Sequence, residues 1–302
     1  MTNKWLKVAL MVTAIATGTS IKIDAETVLY VPQDDRPVSL QYTVDTAREA
    51  GMTVLTPPQH LISGKTYQGQ ADQIMAWVEQ NAGRADVMVL STDTLIYGGL
   101  VDSRKHNIPL STLQNRLKRI EGLKARNKNV RIYGFGTVMR SPRASGGGTE
   151  PAYYAEYGPT IFQIAALQDK LDSGSLTQEE TQKMMSLQAS VPVEYLQDWF
   201  DRRQKNMKIN KELIDETRSG VFDYFALGHD DTSQLSQSAL EGRYLNKYSK
   251  DISVEKYGSF PGADQLGLLL MARSRTDVST EKPTFSVIYP LGGGGKTLPG
   301  YE

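Results

Sequence analysis

Five carboxylate side chains follow apolar stretches of this sequence, and four of them stand in two adjacent pairs. They are Asp34, Asp35, Asp93, Asp230 and Asp231. Two neighbouring carboxyl groups in a cleft can have their pKa values pushed apart, so that one is protonated and the other is charged. Glycoside hydrolysis uses such a pair as an acid for the leaving oxygen and a base or nucleophile opposite it. We therefore assign catalysis to Asp93, Asp230 and Asp231, with the last two as the acid and the base or nucleophile.

Arginine side chains near these carboxylates supply the chemistry to bind a charged group. Arg36 directly follows the first pair, where it can keep a carboxylate ionised or grip an anionic group in a bidentate fork. We predict that Arg36, Arg104 and Arg140 hold an anionic group such as a carboxylate. Asp34 and Asp35 are predicted to position sugar hydroxyls.

The same carboxylates fit a second chemistry, because hard divalent cations prefer oxygen ligands. Such an ion would be held by Asp34 or Asp35, by Asp93, and by Asp230 or Asp231. None of the 3 histidines stands at a His-x-x-x-His or His-x-His spacing, so an imidazole-based zinc site is not predicted. We predict no cofactor and keep a divalent cation as the open alternative.

Two of these patterns also have purely structural explanations. Asp231 fits the N-cap of a helix that begins near Ser233, since Asp is favoured at that position. Arg202, Asn206 and Asn210 are spaced four apart and share one helix face. A solvated face accounts for that spacing, although asparagine is a poor helix former and two of them hint at a polar function.

The elements that must position these residues alternate between strand and helix. Strands are predicted at 28–31, 52–56, 86–90, 130–135, 222–227 and 284–289, and helices at 40–50, 71–81, 110–123, from about 233, and at 263–275. This alternation predicts an α/β fold with a parallel sheet flanked by helices. We expect the sheet to be barrel-like and incomplete rather than open and doubly wound. The residues that do chemistry would then lie at the carboxyl ends of the strands.

A helical insertion interrupts this alternation at residues 141–220. It begins with a glycine-rich loop at 141–149, and 160–220 is predicted to form three helices, broken near Ser173-Gly174 and at Pro192. An insertion at the carboxyl end of a strand is typical of a lid or of one wall of a site. The aromatic residues predicted to stack on a sugar ring are Tyr153, Tyr154 and Tyr157.

The composition of the 302-residue chain limits the classes of partner and of site that we expect. With 34 basic and 34 acidic side chains the formal charge is balanced, which gives no electrostatic support for a nucleic-acid partner. The sequence contains no cysteine, which excludes thiolate zinc sites, thiol nucleophiles and disulfides. A chain without free thiols also suits the cell envelope.

The first 25 residues have the layout of a secretory signal peptide. Two lysines precede an apolar stretch at 8–16, and a small or polar segment ends at Ala25. We predict cleavage after Ala25, leaving 26–302 as a single α/β domain that is secreted or held in the cell envelope. The apolar stretch is too short to span a bilayer stably, so no stable membrane insertion is predicted after its removal.

Short motifs along the chain carry a resemblance to a known family. They are Pro-x-Asp-Asp-Arg-Pro at 32–37, Asp93 with Tyr97-Gly98-Gly99 and Ser103-Arg104, Met139-Arg140, Arg203 with Asn206 and Asn210, Asp230-Asp231 with Gln237-Ser238, and Gly262-Ala263-Asp264. From about Val28 onward, the chain resembles a bacterial family of exported proteins catalogued as a domain of unknown function. The resemblance implies a longer C-terminal region than this chain has. We also assign substrate binding to five residues of these motifs, which are Tyr97, Arg203, Asn206, Asn210 and Asp264.

These observations lead us to predict an exported carbohydrate-active hydrolase, a glycosidase for an amino-sugar or cell-wall glycan. The amino-sugar and cell-wall context is implied by the resemblance, and the glycosidase chemistry by the paired aspartates. Two alternatives stay open. One is a metal-dependent hydrolase of esters or phosphoesters that uses the same aspartates, and the other is a non-catalytic protein that binds a glycan or another solute.

Overall fold

The computed structural model describes residues 26–144, 147–231, 233–279 and 284. The strands are β1 (Thr27–Val31), β2 (Thr53–Leu55), β3 (Val87–Ser91), β4 (Arg131–Val138), β5 (Tyr224–His229) and β6 (Tyr257–Pro261). The α-helices of the described residues are α1 (Gln41–Glu49), α2 (Ala71–Asn81), α3 (Thr92–Tyr97), α4 (Leu100–Lys105), α5 (Leu110–Arg126), α6 (Tyr154–Asp172), α7 (Gln178–Ala189), α8 (Val193–Ser219), α9 (Gln237–Tyr248) and α10 (Leu266–Val278).

The six described strands form one parallel sheet in the order β2-β1-β3-β4-β5-β6. This order reverses once, since the chain moves from β1 outward to β2 and then crosses back to β3. Parallel crossovers are right-handed, so the reversal puts α1 on one face and the following crossover helices on the other. The α/β prediction with a helix-flanked parallel sheet is confirmed. The described sheet is open and not closed into a barrel, because a barrel needs strands that advance in one direction.

Apolar side chains cover both faces of the sheet. Along β1, Val28 and Tyr30 join the layer that packs on α1 and α10. Leu29 and Val31 point to the other face and join the layer under α2, α5, α8 and α9. A parallel sheet buried in this way offers polar groups room only at its edges and strand ends.

Local sequence signals fix the start of α3, which carries Asp93. The Ser91 Oγ atom accepts a hydrogen bond from the Thr94 amide and caps this helix, which begins directly after β3. Gly98 ends the helix at φ 114°, a left-handed conformation that favours glycine. Asp93 is therefore held in the first helical turn at the carboxyl end of a central strand.

The helical insertion has the predicted pattern, with α6, α7 and α8 separated near Ser173-Gly174 and at Pro192. Its aromatic residues pack on one another. Tyr154 is 0% exposed with its ring centroid 4.7 Å from that of Trp199, and Tyr153 stacks on Tyr195 at 4.7 Å. Tyr157 also contacts Tyr195. The prediction that Tyr154 stacks on a sugar is therefore wrong, because the insertion uses these rings to build its own apolar core.

Strand β6 was not predicted, and the reason lies in its composition. Its five residues, Tyr-Gly-Ser-Phe-Pro, contain no apolar run and include two residues that are unusual in strand interiors. Among the described strands β6 pairs only with β5, and such an edge position tolerates Pro261. The helices after β5 and β6 also begin later than predicted, at Gln237 and Leu266.

Two predictions fall on residues outside the described ranges. The signal peptide covers 1–25, and the strand predicted at 284–289 has only Thr284 within the described part of the chain. Both remain predictions.

Candidate functional site

The polar residues singled out from the sequence meet at the carboxyl edge of the sheet. In open α/β sheets, ligands bind outside this edge, at the point where the strand order reverses. Here that point lies between β1 and β3, and Gln33 bridges it. The Gln33 Nε2 atom donates a hydrogen bond of 3.2 Å to Asp93 Oδ2.

Asp93 occupies the floor of this edge. It is 2% exposed, and its Oδ2 atom also accepts a hydrogen bond of 2.8 Å from Thr137 Oγ1 at the end of β4. Burial raises the pKa of Asp93 to about 6, although these hydrogen bonds and the positive charge of Arg104 oppose the shift. Asp93 thus joins three neighbouring strand ends and keeps its proton up to mildly acidic pH.

Arg104 connects this floor to β5. It lies on α4, is 4% exposed, and forms an ion pair with Asp230, whose side chain is 19% exposed. Burial lowers the pKa of Arg104, while the charges of Asp230 and Asp93 oppose that shift. The Arg104 Nε atom is buried and has no hydrogen-bond partner among the described residues. Arg104 is therefore within electrostatic reach of both carboxyl groups and has one donor free.

A cleft of about 600 Å³ opens beside Asp230. Its remaining lining residues are Val38, Phe260, Pro261, Gly262, Ala263, Asp264, Gln265, Leu266 and Leu269. Its volume lies in the range of small-ligand sites, which combine apolar walls with a few polar groups. The cleft offers a mostly apolar wall and two carboxylates.

Arg36 borders this cleft and links β1 to the start of α10. Its Nε atom lies 2.7 Å from Asp34 Oδ2, and its Nη2 atom lies 2.8 Å from Asp264 Oδ1. Both carboxylates raise the pKa of Arg36 against the opposing effect of burial. Asp34 is 4% exposed, and its buried carboxylate holds the Arg36 side chain in place. Asp35 is turned away from this pair and accepts a hydrogen bond from Tyr67.

Arg140 stands at the end of β4 with its charge already paired. Its Nε atom donates to Glu150 Oε1 at 2.7 Å, and its Nη2 atom donates to Thr149 Oγ1 at 2.6 Å. Glu150 is 3% exposed. Arg140 therefore anchors the end of the glycine-rich loop next to Arg104, whose pKa it helps to lower.

Asp231 has a backbone role in this structure. Its Oδ2 atom accepts from the Ser141 amide at 3.2 Å, and its Oδ1 atom accepts from the Ser233 amide at 3.0 Å. The cap of α9 is instead Ser236, whose Oγ atom accepts from the Ala239 amide. Asp231 holds the loops after β4 and β5 together, and it does not occupy the predicted N-cap.

The interpretation of the α8 face with Arg202, Asn206 and Asn210 as solvated is wrong, because all three residues are buried. Arg203 is 2% exposed and forms two 2.7 Å bonds with Glu241. It also donates to the carbonyl oxygens of Met139 and Arg140 at 2.6 and 2.9 Å. These contacts fix the backbone at the end of β4. Arg203 therefore stabilises the backbone that follows β4 at the candidate site.

The remaining residues of the predicted binding site are also surrounded by protein groups. Asn206 donates to the Ser103 carbonyl at 2.8 Å, and Asn210 donates to the Thr137 carbonyl at 3.2 Å. Tyr97 is 7% exposed, its ring lies 4.9 Å from that of His106, and its hydroxyl has no partner among the described residues. These side chains position the strand ends from within the core.

Four residues at this edge were missed from the sequence. Gln33 and Thr137 carried a usable signal, because each is a polar residue at the carboxyl end of an apolar strand. Glu150 and Tyr67 lie in loops, where nothing in the sequence indicates that they reach Arg140 and Asp35.

Within the ranges given above, no three His, Cys, Asp or Glu side chains are grouped so that they could hold a metal ion. No helix in that same part of the chain is long and apolar enough to cross a membrane.

Fold and edge together define an open, parallel α/β protein with a polar cleft at the carboxyl ends of its strands. The chain belongs to the family described as "Protein of unknown function (DUF4127)", whose model matches residues 28–302. The prediction of an uncharacterised family is thereby confirmed. No functionally curated protein matches the chain.

Proposed function

We propose that this protein is a hydrolase that cleaves glycosidic bonds in a small polar glycan bound at the carboxyl edge. One observation supports this most. Burial raises the pKa of Asp93 to about 6, so Asp93 keeps its proton below that pH, whereas Asp230 forms an ion pair with Arg104. Two carboxyl groups in opposite protonation states supply the acid and the base of glycoside hydrolysis.

The hydrogen bonds of Asp93 indicate where its proton lies. Its Oδ2 atom accepts from both Gln33 and Thr137, which leaves Oδ1 to carry the proton. In the proposed reaction, Asp93 donates this proton to the leaving glycosidic oxygen. Asp230 takes a proton from the attacking water, whose oxygen forms the new bond to the anomeric carbon.

Strand spacing supports a water between the two groups. Asp93 follows β3 and Asp230 follows β5, with β4 between them. Neighbouring strands lie about 4.8 Å apart, so these strand ends are separated by about 10 Å. Carboxyl groups about 6.5 to 9.5 Å apart leave room for the attacking water of an inverting glycosidase. The spacing of the strand ends is closer to this range than to the about 5 Å of a retaining enzyme, so we propose inversion of configuration at the anomeric carbon.

The cleft supports a carbohydrate as the substrate class. Its apolar wall includes Phe260 and Leu266, and its polar side carries Asp230 and Asp264. A sugar ring has apolar faces and a hydroxylated rim, so it can use both sides. An amino-sugar glycan of the cell wall remains our proposed substrate, and it agrees with the predicted export of the chain.

Turnover of amino-sugar glycosides by the full chain tests this proposal, with and without a chelator. We expect chelator-resistant release of sugar that falls as pH rises through about 6, because Asp93 must be protonated. D230N should lower kcat by about 10²- to 10⁴-fold at a temperature where the variant is folded. Its Tm should also fall, because the buried Arg104 guanidinium loses its partner charge. The matched control is E49Q, which changes an exposed carboxylate at the opposite edge of the sheet.

Three results would contradict the proposal in different ways. Retained turnover in D230N would remove Asp230 from the reaction. Release of sugar that stops with the chelator would favour a metal-dependent hydrolase. Saturable sugar binding without any turnover would favour a non-catalytic glycan-binding protein.

A further inference from the structure

Tyr67 is an exposed tyrosine at the carboxyl edge whose ring is nonetheless held in one position. Its relative exposure is 50%, and it lies in the loop that follows β2. An exposed tyrosine is ordinarily free to rotate, and ordering it costs conformational entropy. Contacts that fix such a ring therefore require an explanation.

Two contacts fix the ring of Tyr67. The Gly64 amide donates to the Tyr67 carbonyl at 3.1 Å, which folds the loop so that the ring lies against Gly64. A Cβ atom on Gly64 would stand 2.5 Å from the ring Cζ atom, so only glycine leaves this space. At its far end, the Tyr67 hydroxyl donates to the Asp35 carboxylate.

This arrangement places the ring at the same edge of the sheet as the candidate cleft. The Asp35 amide donates to the Ser63 carbonyl at 2.9 Å, which ties the loop to the end of β1. The next residue, Arg36, reaches Asp264 on the lining of the cleft. One side of the ring rests on Gly64, and the half-exposed side is available to a ligand.

We propose that Tyr67 contacts the ligand and that its ring stacks on the apolar face of a sugar residue. Asp35 is the positioning residue that holds the ring through the tyrosine hydroxyl. A rigid aromatic face gives contact area at a low entropic cost. This inference rests on the proposed carbohydrate substrate class and adds a subsite that neither the motifs nor the aromatic residues of the insertion supply.

Oligosaccharide binding by the full chain tests the inference, with a panel of neutral, amino-sugar and acidic trisaccharides as probes. We expect Y67A to raise the Kd of the bound probe by about five- to tenfold, the size of one aromatic stacking contact. In turnover, Y67A should raise KM with little change in kcat, since stacking stabilises bound substrate and transition state alike.

Two further variants separate stacking from a general loss of structure. G64A keeps Tyr67 but puts a methyl group where the ring rests, so it should weaken binding as Y67A does. The matched control is Y248A. Tyr248 is also exposed, and its hydroxyl donates to Asp215 at 2.9 Å, but it lies at the far end of α9 from the cleft.

The outcomes distinguish this inference from the proposed function. Unchanged binding in both Y67A and G64A would overturn the role of Tyr67, whatever the turnover. No saturable binding of any trisaccharide by the unmodified chain would overturn it as well. Binding that Y67A weakens, in a chain that never releases sugar, would support the stacking subsite and reject the hydrolase.

Discussion

Two regions of this molecule keep a carboxyl group protonated close to neutral pH, and they do so in opposite surroundings. Asp93 is buried at the carboxyl edge, where burial raises its pKa to about 6 while Arg104 opposes the shift. Glu216 lies on α8, in a groove of about 310 Å³ against α5. Burial and the neighbouring Glu121 raise the pKa of Glu216 to about 7.

The charges around each group explain why only one region resembles a site. Asp93 is surrounded by donors and by a buried arginine that reaches a second carboxylate. The groove at Glu216 is lined by four acidic side chains with one exposed lysine, Lys118. The raised pKa in the groove follows from burial and from repulsion between like charges, neither of which needs a ligand. A perturbed pKa is therefore informative only together with the partners that cause it.

Removing the arginine at the edge should have the largest effect on stability. R104A leaves Asp230 without its cation in a largely buried position, and we expect a loss of about 3 kcal/mol in the free energy of unfolding. Urea denaturation at pH 7 measures it. K118A in the acidic groove is the control, and its effect should stay within about 0.5 kcal/mol. Similar losses in both variants would contradict the contrast drawn between the two regions.

The second-largest expected effect is a change of stability with pH that is caused by Asp93. Its folded pKa is raised from 3.8 to about 6, so below pH 4 the folded and unfolded chains are both protonated here. Between about pH 4 and 6 the unfolded chain loses this proton first, and the folded state loses stability by up to about 3 kcal/mol. D93N should remove this decrease. A D93N profile parallel to that of the unmodified chain would show that Asp93 titrates normally.

Glu216 should give a smaller effect of the same sign at higher pH. Its folded pKa is raised from 4.5 to about 7, so stability should fall as pH rises between those values. The group is partly exposed, and solvent screening limits the change to about 1 kcal/mol. E216Q should therefore be more stable than the unmodified chain at pH 8 and equal to it at pH 4, with unchanged turnover. Equal stability at both values would exclude the predicted repulsion from Glu121.

The sequence was sufficient to predict those structural features that depend on a local pattern of residues. The apolar stripe of α2 predicted its bounds at 71–81, and the apolar runs located β1, β3, β4 and β5. The carboxylates after these strands do meet at one edge, because parallel strands bring their carboxyl ends together. Asp230 in the cleft follows from this rule.

The remaining features depend on packing between distant segments, which a linear pattern does not carry. Strand β6 forms because its backbone pairs with β5, although its residues are poor strand formers. The reversal at β1 and β3 depends on which strands pair, so the open sheet could not be read from the alternation. In the sequence, the spacing of Asn206 and Asn210 resembles that of a solvated helix face. Only the folded chain brings the carbonyl groups of Ser103 and Thr137 to them. Likewise, only the folded backbone brings Tyr67 to Asp35.

The guanidinium of Arg203 joins three parts of the chain at once. It belongs to the helical insertion, pairs with α9 through Glu241, and donates to the two carbonyl groups that directly follow β4. The insertion is consequently fixed against the carboxyl edge of the sheet, since moving it would break four hydrogen bonds in a buried position. Substitutions on the outer helix α7 should therefore leave this edge unaltered, whereas replacing Arg203 or Glu241 alone would leave a buried charge without its partner.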